Sequence, residues 1–147
     1  MNILLPVDGS EAALAAARQV VQMLGDGLRA HVVLANVQET ASLYELVTAH
    51  DAQVIERVSA GAAVDALAPA QALLVAAGAD YEAEVALGDP ARMLLEIAER
   101  FNCTLIVMGA QGVGEPQRRA HLGSVATAVL HGASAAVTIV RQRPASP

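Results

Sequence analysis

The chain has 147 residues and a mass of 15.1 kDa, which is the size of one globular domain. Its nine basic residues are all arginine, and the absence of lysine excludes a Walker A phosphate loop and a Schiff-base nucleophile. A net charge of -6 and a pI near 5.0 argue against nucleic acid as a partner, because most of the surface would repel its phosphates.

The first part of the chain contains a strand, a helix and a second strand. Residues 2–7 are apolar and rich in branched side chains, which indicates a buried strand. Ser10 then stands at the position of a helix N-cap, and residues 11–24 carry alanine and leucine at helical spacing. Residues 31–37 form a second apolar run, so the helix between the two strands predicts a βαβ unit.

Residues 40–77 favour helix through most of their length. Gly61 and Pro69 lie inside this stretch, and we expect them to break or bend the helix. Residues 80–87 then alternate acidic and apolar side chains. Such alternation is typical of a strand with one solvated face, so we expect this strand towards an edge of the sheet.

The second half of the chain continues the alternation of helix and strand. Asp89 and Pro90 are the N-cap and first residue of a predicted helix. Residues 104–108 form a fully apolar strand, and a glycine-bearing loop follows it. Residues 124–130 and 137–140 are the last predicted helix and strand.

This order of elements predicts an α/β fold with a doubly wound, mostly parallel five-stranded sheet and helices on both faces. We expect a single domain over residues 1–142 and a flexible C-terminal tail over residues 143–147. In such sheets, ligands bind outside the carboxyl ends of the strands. The residues that follow each strand are therefore the candidates for a binding site.

Small and polar residues follow the strands at this edge. Asp8 follows the first strand, and Val37 ends the second. Gly109 and Gly112 follow the fourth, and Gly123-Ser124-Val125 opens the last helix. Glycines let a backbone approach phosphate oxygens, and the amides at a helix start attract negative charge. Together these residues predict an anion-binding crevice.

With these motifs the chain resembles the universal stress protein family over residues 3–140. The matching motifs are Pro6-Val7-Asp8-Gly9-Ser10, Gly88-Asp89-Pro90, Leu105-Ile106-Val107-Met108-Gly109 and Leu122-Gly123-Ser124-Val125. The resemblance implies a Rossmann-like fold of the HUP type, ATP as the ligand, with or without Mg²⁺, and a regulatory role in the stress response without substantial catalysis. It also implies a homodimer formed through the last strand, which would cover an apolar sheet edge.

The resemblance also assigns roles to individual residues. Asp8 would hold the ribose, and adenine would be bordered by Pro6, Val7 and Val37. The ribose and phosphates would be flanked by Met108, Gly109 and Gly112. The phosphates would be bound by Gly123, Ser124 and Val125.

The chain departs from the family pattern in one spacing and at two positions. ATP-binding members have a glycine, two residues, a second glycine, nine residues, and then glycine with serine or threonine; here ten residues separate Gly112 from Gly123. The extra residue either shifts the helix start or only enlarges the loop, and the sequence leaves both open. Asn36 stands where histidine is common, and Ala136 replaces a common proline.

The candidate residues also have purely structural interpretations. Asp8 and Ser10 together can cap the first helix, and the glycine pair Gly109 and Gly112 can serve only as turn residues. A family member that binds no nucleotide and acts through protein partners is therefore the alternative function. The longer glycine spacing and the acidic Glu115 favour that alternative.

Other chemistries have little support in the sequence. Arg118 and Arg119 either reach phosphates from the loop or are solvated. His121 and His131 are ten residues apart, which is not a zinc-binding spacing. The serines at the two helix starts are explained by capping, and the signature loops of adenylating enzymes are absent. We therefore expect no metal-chelating site and no enzyme.

The expected location is the reducing cytoplasm. Cys103 is the single cysteine, so it forms no internal disulfide, and it adjoins an apolar strand against which it can pack. Residues 1–8 lack a basic region and contain an acid, so we expect no secretory signal peptide. Residues 122–140 are uncharged but are interrupted by polar side chains, so we expect no membrane insertion.

Overall fold

The structure is a computed structural model that describes residues 1–39, 52–112 and 122–142. These residues form five strands and four helices in strict alternation, apart from the undescribed segments. The strands are β1 (Asn2–Pro6), β2 (His31–Gln38), β3 (Tyr81–Leu87), β4 (Leu105–Gly109) and β5 (Ala136–Val140). The helices are α1 (Glu11–Gly25), α2 (Ala52–Ala76), α3 (Pro90–Arg100) and α4 (Ser124–Gly132).

All five strands form one parallel sheet in the order β3-β2-β1-β4-β5. The chain builds outward from β1 through β2 to β3, then returns to the other side of β1 to add β4 and β5. This is the doubly wound five-stranded sheet that the sequence predicts. The strand order reverses between β1 and β4, so a crevice opens at the carboxyl ends of these two strands.

Each face of the sheet is covered by one pair of helices. One core layer is formed by side chains of α1 and α2 against Ile3, Leu5 and Leu34. The other layer joins α3 and α4 to Leu4 and Ile106. Because successive residues of a strand point to opposite faces, the central strands bury apolar side chains on both faces of the sheet. Alanines such as those of α1 allow the helices to approach the sheet closely in a chain that has only 2% aromatic residues.

Local capping explains where two of the helices begin. The Ser10 hydroxyl accepts a hydrogen bond from the Ala13 amide (3.1 Å) at the start of α1. The Asp89 carboxylate accepts one from the Arg92 amide (3.0 Å) at the start of α3, with Pro90 as the first helical residue. Both caps are as the sequence predicts.

Helix α2 runs through Gly61 and Pro69 as one continuous helix, so the predicted break does not occur. Pro69 removes the hydrogen bond that its amide would make to the Asp65 carbonyl. Asp65 and Pro69 are both exposed. Water can therefore satisfy the Asp65 carbonyl, and the proline ring lies outside the core. The opposite face of the helix is buried at Ala63, Leu67, Ala70 and Leu74, of which the last three belong to the core that covers the sheet. The start of the predicted helix, residues 40–51, lies outside the described residues.

By length and composition, the Glu56–Ala76 part of α2 is also apolar enough to cross a membrane. It is the one helix in the described part of the chain that meets this criterion. A helix that packs against the core of a globular domain meets the same criterion, and Leu67 and Leu74 are buried in this way. The finding therefore carries little weight in favour of membrane insertion.

Strand β3 lies at one edge of the sheet, as its alternating pattern predicts. Its N-terminal end is held by His31 of β2, whose ring nitrogens lie 3.0 Å from Asp80 Oδ2 and 3.1 Å from Glu82 Oε2. Further along, Glu84 pairs with Arg100 of α3. These polar contacts fix β3 against β2 at the end of the sheet and against α3 on the face that this helix covers.

Candidate functional site

A crevice of about 450 Å³ lies at the carboxyl ends of β1, β2 and β4 and reaches the start of α4. All ten residues that the sequence singles out as binding candidates line this crevice. They are Pro6, Val7, Asp8, Val37, Met108, Gly109, Gly112, Gly123, Ser124 and Val125. The fold therefore brings together residues that are up to 119 positions apart in the chain, from position 6 to position 125.

Asp8 and Ser10 have separate tasks at the mouth of the crevice. The Ser10 hydroxyl caps α1, whereas Asp8 Oδ1 accepts a hydrogen bond from the Ser10 amide (3.0 Å) ahead of the helix. The Asp8 carboxylate is exposed. On its other side lies Gly112, where an added β-carbon would be 2.9 Å from Asp8 Oδ2. The Asp8 carboxylate thus supports the turn before α1 and also lines the crevice.

Gly109 has a structural reason to be glycine. A β-carbon at this position would lie 2.7 Å from both the carbonyl carbon and the carbonyl oxygen of Ala12 in α1. Atoms of a rigid helix backbone cannot move aside as the end of a side chain can. Gly109 thus allows α1 to pack over the end of β4, and this requirement is independent of any ligand.

The backbone of β2 presents unpaired groups to the crevice. The carbonyl of Gln38 accepts from the Gly88 amide (3.0 Å) beyond β3, so even-numbered residues of β2 face β3. The carbonyl of Ala35 accepts from the Val7 amide (2.8 Å), so odd-numbered residues face β1. Because β1 has ended by this point, the amide and the carbonyl of Val37 are directed into the crevice.

The start of α4 is uncapped. Its N-cap is Gly123, which has no side chain to offer, and the first hydrogen bond within the helix runs from the Thr127 amide to the Gly123 carbonyl (3.0 Å). The amides of residues 124–126 therefore have no partner within the helix. At the starts of α1 and α3, by contrast, Ser10 and Asp89 occupy the equivalent position. The uncapped end of α4 faces the crevice, where it favours an anion.

A backbone hydrogen bond fixes this helix start relative to β4. The amide of Gly123 donates to the carbonyl of Ala110 (2.7 Å), and the Ala110 amide donates to the carbonyl of Val140 (3.1 Å). Gly112 and Gly123 consequently line the same crevice although ten residues separate them. The intervening residues 113–121, which include Glu115, Arg118, Arg119 and His121, lie outside the described residues.

The charged side chains of the described lining are both acidic. They are Asp8 and Glu39, and no arginine or histidine is among the described residues that line the crevice. No cluster of three or more histidine, cysteine, aspartate or glutamate side chains suited to a metal ion occurs in residues 1–39, 52–112 and 122–142. Attraction for an anion in this part of the site thus comes from the main-chain amides of α4 rather than from cationic side chains.

Several lining residues were not singled out from the sequence. Asn36 and Gln38 line the crevice, and so do Ala110 and Ala126 near the start of α4. Asn36 stands out in the sequence only as a departure from the family pattern, but a polar side chain inside the apolar run of residues 31–37 is a further signal. The two alanines contribute through backbone position, which their side chains do not reveal.

Comparison with known proteins agrees with this architecture. The family model of the universal stress protein family matches residues 1–141. Universal stress protein MJ0531 of Methanocaldococcus jannaschii is 28% identical over 141 residues, covering 96% of this chain and 82% of that protein. Universal stress protein UspA from Lactobacillus plantarum has a similar structure, with a TM-score of 0.74 and 25% identity over 96% of this chain and 97% of that one. A universal stress protein in complex with cAMP superposes with a TM-score of 0.63 and 26% identity, covering 96% of each chain.

The matched segment includes every strand and helix described above, together with all the residues that line the crevice. The parallel five-stranded sheet is the fold of the similar solved structures. This chain belongs to the universal stress protein family.

Proposed function

We propose that the crevice binds an adenine nucleotide, with ATP as the ligand, and that the protein acts as a regulatory module of the stress response. The observation that carries this proposal is that the uncapped start of α4 and the unpaired backbone of Val37 line one crevice. The start of α4 suits phosphate, and the backbone of Val37 suits a base. The related universal stress protein in complex with cAMP, itself an adenine nucleotide, supports the same class of ligand.

The base end of the crevice suits adenine. The amide of Val37 can donate to one ring nitrogen on the edge of adenine, while its carbonyl accepts from the exocyclic amino group. Guanine presents the opposite pattern on that edge, with an acceptor where adenine has a donor. The buried side chains of Val7 and Met108 provide apolar contact for the ring. We therefore expect selectivity for adenine over guanine.

The phosphate end suits a triphosphate with Mg²⁺. The amides of residues 124–126 can donate to phosphate oxygens, and the exposed Ser124 hydroxyl adds a further donor. Asp8 and Glu39 would repel a bare polyphosphate, so a divalent cation between carboxylate and phosphate would lower that repulsion. We propose that the Asp8 carboxylate, which lines the crevice, accepts hydrogen bonds from the ribose hydroxyls.

We propose binding without substantial turnover. The sequence has no lysine, so the group that contacts the terminal phosphates in P-loop enzymes is missing. The ionisable groups of the described lining are two carboxylates, which supply no positive charge to a leaving phosphate. Phosphate release should remain within a few fold of a protein-free control containing the same MgATP. A rate that saturates with ATP and scales with protein concentration would contradict this.

The test of nucleotide binding is calorimetric titration with MgATP on a matched pair of variants. Ser124→Ala removes only the hydroxyl, whereas Ser124→Pro also removes the first amide of α4 at a position where proline suits a helix. A hydrogen bond to a charged group contributes about 1.5–3 kcal/mol, so Ser124→Pro should weaken ATP binding by about ten- to a hundredfold. Ser124→Ala should lose less. Absence of binding by the wild-type chain at millimolar ATP, or unchanged affinity in Ser124→Pro, would refute the proposal.

The alternative function, a family member that acts through protein partners without nucleotide, keeps one observation in its favour. The acidic pair Asp8 and Glu39 opposes an anion in the described part of the crevice. Denaturing the freshly purified protein and analysing the released small molecules distinguishes the two functions. Stoichiometric adenine nucleotide supports the binding module, and its absence together with no calorimetric binding supports the alternative.

We also propose a homodimer formed through β5. This strand lies at an edge of the sheet and pairs with β4. The amide of Ala136 donates to the Thr104 carbonyl (3.2 Å), so even-numbered residues of β5 face β4. The amides and carbonyls of Val137 and Ile139 consequently point away from the sheet. A second copy of β5 across a two-fold axis would pair with them.

A cytoplasmic location is likewise a proposal. Cys103 is a free and buried thiol, and the sequence has no second cysteine with which it could pair. A reducing compartment suits such a residue. Fractionation of cells that produce the tagged chain, with the tag at the C-terminus, tests this; recovery in the membrane pellet would contradict it.

A further inference from the structure

Asn36 stands out because it is polar and buried. Among the described residues, Asn36 is the one polar residue whose side chain is buried, with 1% of its surface exposed. Its Nδ2 donates to the Val7 carbonyl (2.8 Å), and its Oδ1 accepts from Gln38 Nε2 (2.6 Å). The Val7 carbonyl can only accept, so the orientation of the Asn36 amide is determined by its partner. Both polar ends of the side chain are satisfied at the floor of the crevice.

This side chain takes the place of a backbone hydrogen bond. The β1–β2 ladder pairs Pro6 with Ala35, and the Val7 amide extends it with a bond to the Ala35 carbonyl (2.8 Å). In a parallel ladder the next bond would run from the Val37 amide to the Val7 carbonyl. In the described residues that bond is not made, and the Val7 carbonyl accepts from the Asn36 side-chain amide instead. The Asn36 side chain thus ends the β1–β2 ladder one residue before Val37.

We propose that Asn36 is a positioning residue for the base subsite: by occupying the Val7 carbonyl it keeps the Val37 amide available to the ligand. This inference rests on the proposed nucleotide binding and names a residue that determines its base selectivity. Gln38 acts on the same group, because its donation to Asn36 Oδ1 holds the amide in the orientation that faces Val7. Without Asn36, the sheet would pair one residue further and the Val37 amide would be used internally.

The first arm of the test needs no nucleotide. Amide hydrogen exchange, read residue by residue by NMR, reports whether the Val37 amide is bonded. In the wild-type chain it should exchange much faster than the Ala35 amide, which faces β1 inside the paired part of the ladder. In Asn36→Leu the Val37 amide should exchange at least about tenfold more slowly than in the wild type, as expected for a newly formed backbone hydrogen bond.

A matched control is available at the opposite end of the sheet. Asn2 Nδ2 donates to the Phe101 carbonyl (2.7 Å), which is the same type of contact made far from the crevice. Asn2→Leu should leave the exchange of the Val37 amide unchanged. If Asn36→Leu fails to fold, Gln38→Leu is a second variant, because Gln38 is only partly buried and its loss should be better tolerated. In Gln38→Leu the hydrogen exchange of the Val37 amide should slow by a smaller factor than in Asn36→Leu.

The second arm compares two ligands on the same variants. Asn36→Leu should weaken binding of MgATP by about tenfold, the loss of roughly one hydrogen bond to the base. It should change the affinity for magnesium tripolyphosphate, which has no base, by less than about twofold. Equal losses for both ligands would mean that Asn36 supports the crevice generally, and would overturn the positioning role.

The two arms separate this inference from the proposed function. If the wild-type chain binds no nucleotide but its Val37 amide exchanges quickly and becomes slow in Asn36→Leu, the function fails while the ladder-ending role of Asn36 stands. If ATP binds but the Val37 amide exchanges as slowly as that of Ala35 in the free wild-type protein, nucleotide binding stands and the role of Asn36 is overturned.

Discussion

Asp8 occupies the space that a side chain on Gly112 would need. An added β-carbon at Gly112 would lie 2.9 Å from Asp8 Oδ2, which is closer than real β-carbons approach such atoms. The two residues are 104 positions apart, and they meet because β1 and β4 are neighbours in the sheet. The absence of a side chain at Gly112 is therefore part of what determines the position of the Asp8 carboxylate.

The first prediction concerns this pair. Gly112→Ala should displace the exposed Asp8 carboxylate, so the fold should be retained while the ribose loses its partner. We expect ATP affinity to fall by about tenfold, as for one lost hydrogen bond to a charged group. In an Asp8→Ala background the same change should have almost no further effect. Additive losses in this double-mutant cycle, measured by calorimetry, would show that Gly112 acts separately from Asp8.

The second prediction concerns stability. Gly109→Ala should lower the free energy of unfolding by about 1–3 kcal/mol, because its β-carbon would overlap the backbone of Ala12 at 2.7 Å and α1 would have to move. Urea unfolding measures this loss.

The matched control for Gly109→Ala is Gly61→Ala. Gly61 lies inside α2 and has nothing within 4 Å of an added β-carbon, so alanine should stabilise the helix by about 0.5–1 kcal/mol. A neutral Gly109→Ala would mean that α1 adjusts freely over the end of β4.

These glycines illustrate what the sequence reveals and what it does not. The order of strands and helices, and the caps at Ser10 and Asp89, follow from local patterns that are readable along the chain. The set of crevice residues follows from the rule that parallel sheets bind ligands at their carboxyl ends. The contact of Gly109 with Ala12 joins distant parts of the chain, so no local pattern contains it.

The same limit explains why the predicted break at Pro69 does not occur and why the contacts of Asn36 were not predicted. Proline interrupts a helix by its local chemistry, but the exposed position of Pro69 and the buried face of α2 are properties of the folded domain. Asn36 is visible as a polar residue within a strand, yet its partner Val7 lies 29 residues away. Sequence patterns identify which residues are unusual, whereas the tertiary structure identifies what each of them contacts.

The third prediction concerns the thiol of Cys103. Burial, and to a smaller extent the negative charge of Glu82, raise the pKa of Cys103 above its ordinary value of 9.0. The native state therefore retains the proton in a pH range where the unfolded chain loses it. The contribution of the protonated Cys103 thiol to the free energy of unfolding is complete below about pH 9 and is lost as the pH rises above that value.

Chemical unfolding at several pH values tests whether stability falls as the pH rises. Between about pH 8.5 and 10, the wild-type free energy of unfolding should decline relative to that of Cys103→Ala, with a slope of at most about 1.4 kcal/mol per pH unit. Native protein at neutral pH should also react slowly with iodoacetamide, and quickly in denaturant. Parallel pH profiles for the two chains, or rapid alkylation of the native thiol, would contradict the assignment.

The fourth prediction concerns the edge strand β5 and uses its alternating hydrogen-bonding direction. Val137→Pro removes an amide that points away from the sheet, so it should abolish pairing with a second copy and leave the ladder to β4 in place. Light scattering at micromolar concentration should give the mass of a dimer for the wild type and of a single chain for Val137→Pro. Val137→Ala controls for the lost packing of the side chain and should remain a dimer.

Thr138→Pro removes an amide that faces β4, so it should lower the unfolding midpoint as well. A wild-type chain that is monomeric under these conditions, or a dimeric Val137→Pro, would exclude β5 as the dimer interface.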